Sequence, residues 1–111
     1  MKQGDVYWCD LKEPDRKRPV VILTRNAGVR LLNSLSVAPV TRSVREIRSF
    51  VLLDEEDGMP TECSVNLDSI QTIAKSRFGD HITTLSKERM LEVHEAISFA
   101  FGFDALEDDA L

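Results

Sequence analysis

The sequence has little of what marks exported, metal-built or membrane-embedded chains. It holds two cysteines, Cys9 and Cys63, in no CxxC pair. Neither a disulfide framework nor a zinc site is expected, and a reducing cytoplasm fits this usage. No apolar run approaches the roughly 20 residues of a membrane-spanning helix. The opening MKQGDVYWCDLKEPDRKRP lacks the apolar stretch of about 7 to 15 residues that marks a signal peptide, so export is not expected. There is no HExxH, no GxGxxG and no P-loop, which leaves no signal for a catalytic metal or a nucleotide cofactor. His81 and His94 stand apart, and the acidic run Asp54 to Asp57 lacks the ligand spacing of a calcium loop, so it reads as a solvated turn.

What is present suits one soluble domain. The chain has 111 residues, 42% hydrophobic and 30% charged, enough for a single core and too apolar for a disordered chain. Its net charge of −5 hides an asymmetry. Residues 1–50 carry ten basic and five acidic side chains, a balance of +5; residues 51–111 carry four and fourteen, a balance of −10. A basic half inside an acidic protein points to a local polyanion site. Its cations cluster as Arg16, Lys17, Arg18 and as Arg42, Arg45, Arg48, in two loops between strand-like segments.

Those segments are short. Val6 to Leu11 follows the turn signal Gly4-Asp5, and Pro19 to Thr24 (PVVILT) is an apolar, β-branched run that reads as a buried strand. Lys12 to Arg18 reads as a loop, and Arg25 to Leu32 as irregular, with Asn26 and Gly28 as turn residues. Ser34 to Val40 alternates as a half-buried strand, with Pro39 signalling an end, an edge or a bulge. Phe50 to Leu53, Ser64 to Leu67 and Ser69 to Ile73 are further strands, and Ala74 to Asp80 reads as a turn with a helical piece. Five or so short strands predict a small antiparallel barrel. The period then changes: Ser86 is an N-cap, and Met90, Val93, Ile97, Ala100 and Phe101 recur at helical spacing up to Gly102. Residues 1–103 make the domain, and the acidic tail 104–111 is expected to fray.

The remaining chemistry centres on arginine. Arg18 abuts the buried strand, and Thr41 closes the segment SLSVAPV. If these strands are neighbours, a guanidinium fork and a hydroxyl can converge on one phosphate. On spacing alone, a surface Arg beside a turn Thr is the commoner arrangement.

These residues lie in four motifs that resemble the MazF/PemK family of toxin endoribonucleases from bacterial toxin–antitoxin modules. They are GDVYWCDL (4–11), RPVVIL (18–23), VAPVT (37–41) and IQTIAKSRF (70–78), followed by a short C-terminal helix. The resemblance implies an SH3-like antiparallel barrel, mainly β, with a C-terminal amphipathic helix, working as a homodimer. It implies metal-independent cleavage of single-stranded RNA without a cofactor, and neutralisation by a cognate acidic antitoxin of the MazE type. Arg18 and Thr41 stand where the family has its catalytic Arg and Thr. The implied RNA groove would use Lys12, Arg16, Lys17, Arg25, Arg42, Ser43 and Arg45, with Ser69 and Gln71 where the family carries the Gln and Arg of its QIRT stretch. The loop Lys12 to Lys17 is shorter and more basic than the family's, which bears on RNA sequence preference rather than on the reaction. The related CcdB toxins share the fold but bind DNA gyrase, so a gyrase-binding toxin or a non-catalytic RNA- or antitoxin-binding module is the alternative.

Overall fold

The computed structural model describes residues 1–11 and 17–108. Among these residues, seven strands and two α-helices follow in the order β1 (Asp5–Asp10), β2 (Lys17–Ile22), α1 (Asn26–Leu31), β3 (Ser34–Thr41), β4 (Phe50–Leu53), β5 (Cys63–Asn66), β6 (Gln71–Ala74), β7 (Phe78–Thr84) and α2 (Lys87–Ala100). Every strand pair is antiparallel, in the order β4-β5-β3-β2-β1-β7, with β6 added on β3. The sheet coils without closing, because β4 and β7 end the ladder unpaired with each other, so the barrel is an open one.

The apolar run of β2 is continuous because both of its faces are covered. Val21 packs with Val6, Ala38, Val40 and Val65 in a cluster closed by Val93 and Ala96 of α2. Val20 and Ile22 point the other way, into a second cluster with Cys9, Leu35, Val37 and Ile73. Pro39 falls where β3 changes partner: Ser34 to Val37 pair with β6, and Val40 and Thr41 pair with β5. A residue without an N–H costs least in that gap.

Residues 26–31, expected to be irregular, form α1, whose Val29 is buried in the second cluster. Gly28 is there for space rather than for a turn, since a Cβ would crowd Thr24 Cγ2. Residues 74–80 hold a 3-10 turn, Lys75–Arg77, and the start of β7, a strand that alternation did not reveal because it carries Gly79, Asp80 and His81 in succession. The helix α2 begins as expected, with Ser86 Oγ accepting from Arg89 N at 3.1 Å, and ends before Gly102 at φ 74°. Its buried stripe differs at two positions: Ala96 is buried, whereas Phe101 is exposed. Phe103–Asp108, which take in the first part of the tail expected to fray from Asp104 on, form a 3-10 turn whose Asp104 pairs with Arg48 at 3.2 Å. Residues 109–111 lie outside the described residues.

The turn after β4 is tightly specified. Asp54 accepts from Glu56 N, and Asp57 accepts from Asp54 N, each at 2.9 Å. Arg89 ties this turn to α2 by donating to Asp57 at 3.0 Å and to Glu92 at 3.0 Å, and the hydrogen bond to Asp57 holds its guanidinium firmly protonated. Gly58 closes the turn at φ 88°, where a Cβ would overlap Thr83 Oγ1. Gly58→Ala combines left-handed strain with that overlap and is expected to cost about 1–3 kcal/mol in urea unfolding. An unchanged midpoint would show that the turn relaxes freely.

Candidate active site

Arg18 and Thr41 meet because β2 and β3 are neighbours. Their register pairs Val20 with Pro39, Val21 with Ala38 and Ile22 with Val37. Continued two residues past the Val20–Pro39 pair, that register would set Arg18 across from Thr41. Here a cleft of about 450 Å³ opens, lined on one side by Lys17, Arg18 and Pro19 and on the other by Thr41, Arg42 and Ser43. Trp8, opposite Pro19 in the β1–β2 ladder, forms one wall. Met59, Pro60, Thr61 and Cys63 form the far wall.

The cleft is positive by construction. Lys17, Arg18 and Arg42 line it, and no carboxylate or imidazole is among its described lining residues. Arg18 is half-buried and carried on a strand whose next residues are core, so its position is fixed by packing. Thr41 Oγ1 accepts from Ser43 N at 3.2 Å, which orients the hydroxyl and leaves its hydrogen to donate. Beside it, Ser64 pairs with Thr41 in the β3–β5 ladder, and its buried hydroxyl has no partner among the described residues. Burial and the nearby Asp57 and Asp54 raise the Cys63 thiol pKa and disfavour its thiolate; burial does the same for Cys9.

The structure gathers only part of the residue set named from the sequence. Lys17, Arg18, Thr41, Arg42 and Ser43 line the cleft. Lys12 and Arg16 lie outside the described residues. Arg25 sits past the other end of β2, at the start of α1. Arg45 borders a separate depression with Arg48, Phe50 and Glu95. Ser69 is in the 3-10 turn before β6, where its hydroxyl accepts from Asn66 Nδ2 at 3.1 Å, and Gln71 pairs with Val37; neither lines the cleft. Sequence reasoning missed Trp8. The usable signal was an aromatic on the strand face opposite buried Cys9, next to a basic loop, and Trp8 is in fact 39% exposed.

The family described as PemK-like, MazF-like toxin of type II toxin–antitoxin system matches residues 2–101. Probable endoribonuclease MazF5 of Mycobacterium tuberculosis is 34% identical over 99 residues, 88% of this chain and 90% of that protein. Endoribonuclease EndoA of Bacillus subtilis is 32% identical, with 92% of this chain and 95% of that protein covered. A solved endoribonuclease in complex with its cognate antitoxin, from Mycobacterial species, superposes with a TM-score of 0.83 at 28% identity, covering 92% of this chain and 95% of that one.

Proposed function

Because this chain belongs to the PemK-like, MazF-like toxin family of type II toxin–antitoxin systems, we propose that it is an endoribonuclease toxin that cuts single-stranded RNA at the Arg18–Thr41 cleft. The single observation that carries the site assignment is that Arg18 and Thr41, carried on neighbouring strands, line one cleft whose charged lining is cationic. A gyrase-binding role would not call for that pairing.

RNA carries its own nucleophile, the 2′-hydroxyl beside each phosphodiester. In the reaction the O2′–P bond forms, the P–O5′ bond breaks, the 2′ proton is released and O5′ takes one up. The products are a 2′,3′-cyclic phosphate and a 5′-hydroxyl. Arg18 offers paired donors to the charge that builds on the phosphorane, and Thr41 donates to a non-bridging oxygen. Lys17 and Arg42 hold the flanking phosphates. Arg18 is not a base, since a guanidinium keeps its proton. Rate enhancement at this cleft therefore comes from alignment of the 2′-oxygen and from charge stabilisation rather than from a titrating side chain. Fixed cations do here the electrostatic work that a metal would do, which supports a metal-independent reaction.

The same cationic cleft suits an acidic, largely disordered antitoxin segment that folds on binding and competes with RNA. A homodimer would cover the exposed Phe99, Phe101 and Phe103 at the end of α2 and beyond it. Among the described residues no helix is long and apolar enough to cross a membrane, and two free, buried cysteines suit the cytoplasm.

The test is incubation of purified protein with single-stranded RNA in EDTA. Cleavage to 2′,3′-cyclic phosphate and 5′-hydroxyl ends is expected. Loss of cleavage in EDTA with rescue by magnesium would overturn the metal-independent mechanism.

A further inference from the structure

A second cleft, of about 390 Å³, adjoins the first and shares Trp8 and Lys17 with it. It is built where β1 meets β7. Cys9 pairs with Arg18 on one side and with Phe78 on the other, while Asp10 pairs with Lys17. From Arg18 to Phe78 is two interstrand spacings, roughly 10 Å. An RNA strand whose phosphate sits at Arg18 and Thr41 can therefore place a neighbouring base in this cleft.

Its lining differs from that of the first cleft. Trp8 and Phe78 supply aromatic surface, Asp10 and Asp80 supply carboxylates, and Lys17 and Arg77 supply cations. Asp10, Lys17 and Asp80 are exposed and Arg77 and Phe78 are half-buried, so the polar groups are accessible to a ligand. Two carboxylates in a phosphate-binding strip would only repel the backbone. They make sense as acceptors for a base.

The bases differ in what they offer such a set. Guanine presents two adjacent donors, N1–H and the N2 amine, that match the two oxygens of one carboxylate. On its other edge it presents two adjacent acceptors, O6 and N7, that match an arginine fork or a lysine. Adenine and cytosine each offer one amine, and uracil offers none. The aromatic walls add stacking, which is indifferent to base identity and so contributes affinity rather than selection.

We propose that this cleft is a guanine subsite, with Asp10 and Asp80 as the carboxylates available to N1–H and N2–H, Arg77 to O6 and N7, and Trp8 and Phe78 as the stacking surfaces. It rests on the endoribonuclease reading and adds the base it selects beside the scissile phosphate.

The test separates binding from cleavage. Trp8 is the only tryptophan in the chain, so its fluorescence reports on this wall directly. Uncleavable 2′-O-methyl pentanucleotides are titrated, identical except for one central guanosine, inosine, adenosine or uridine. The guanosine strand is expected to quench Trp8 at concentrations at least about fivefold lower than the inosine strand, which lacks only the N2 amine. Asp80→Asn and Arg77→Ala, each checked for an unchanged circular dichroism spectrum, are expected to erase that preference, so that the guanosine and inosine strands quench at the same concentration. Equal quenching by all four strands, or a preference that survives both substitutions, would overturn the subsite. Failure of wild type to cleave any RNA while the guanosine preference holds would count against the nuclease reading alone.

Discussion

Arg18→Ala is expected to lower the rate of RNA cleavage by about 10²- to 10³-fold, the size of effect seen when one preorganised donor to a transition-state oxyanion is lost. Arg18 supplies more than a hydrogen bond, because its charge is permanent and its two donors are coplanar. Thr41→Ala removes a single neutral donor and is expected to cost at least about tenfold. Arg18→Lys separates charge from geometry: it keeps the cation and loses the fork, so its rate should fall between wild type and Arg18→Ala. The measurement is single-turnover cleavage of a fixed oligoribonucleotide, with circular dichroism and urea unfolding as controls on the fold. A folded Arg18→Ala protein that cleaves at the wild-type rate would remove Arg18 from the mechanism.

That prediction depends on a contact that the sequence only half specifies. The run PVVILT identified β2 as buried, and the alternation in SLSVAPV identified β3 as half-buried. Neither states that the two strands are neighbours, since pairing is decided by the connection through residues 23–33. Within that connection, residues 25–32 read as irregular from sequence, because Asn26 and Gly28 usually mark turns. In the structure Gly28 is a packing glycine, and α1 spans the crossing between the strands. The family motifs single out Arg18 and Thr41 together, and the neighbouring strands β2 and β3 bring both to one cleft.

The other differences between sequence pattern and structure share a cause. The strand β7 was hidden because its polar residues face solvent at the sheet edge, which leaves no period-2 apolar signal. Phe101 fits a helical repeat with Val93 and Ile97 on paper, but it lies at the C-cap, where the backbone leaves the core. The basic residues show the limit of charge counting most plainly. Clustering in sequence placed Arg42 and Arg45 in one loop, yet only Arg42 reaches the cleft, while Arg45 borders a depression on the α2 side. Charge along a chain becomes charge on a surface only after the turns are known.

The largest effect of all is expected from the substrate rather than from the protein. In an oligoribonucleotide with one cleavage site, replacing the single 2′-hydroxyl at that site with hydrogen should abolish cleavage there, in EDTA and in magnesium alike. The reason is stoichiometric: the attacking atom is the O2′ of the nucleotide whose phosphate is cut, and without it no O2′–P bond can form. The lining residues make this dependence strict. The cleft's described lining residues include no carboxylate or imidazole to activate water or a hydroxyl, and burial raises the Cys63 thiol pKa, which disfavours its thiolate. Binding should survive the change, because the contacts proposed for Lys17, Arg18 and Arg42 are with phosphates rather than with the 2′ position, and the deoxy-substituted strand should therefore act as a competitive inhibitor of the all-RNA strand. Denaturing gels of the two matched strands measure the first expectation, and inhibition of all-RNA cleavage by the substituted strand measures the second. Cutting of the deoxy-substituted strand at the same bond would mean that water or a protein group attacks the phosphorus, and the assignment of Arg18 and Thr41 as stabilisers of an internal attack would have to be abandoned.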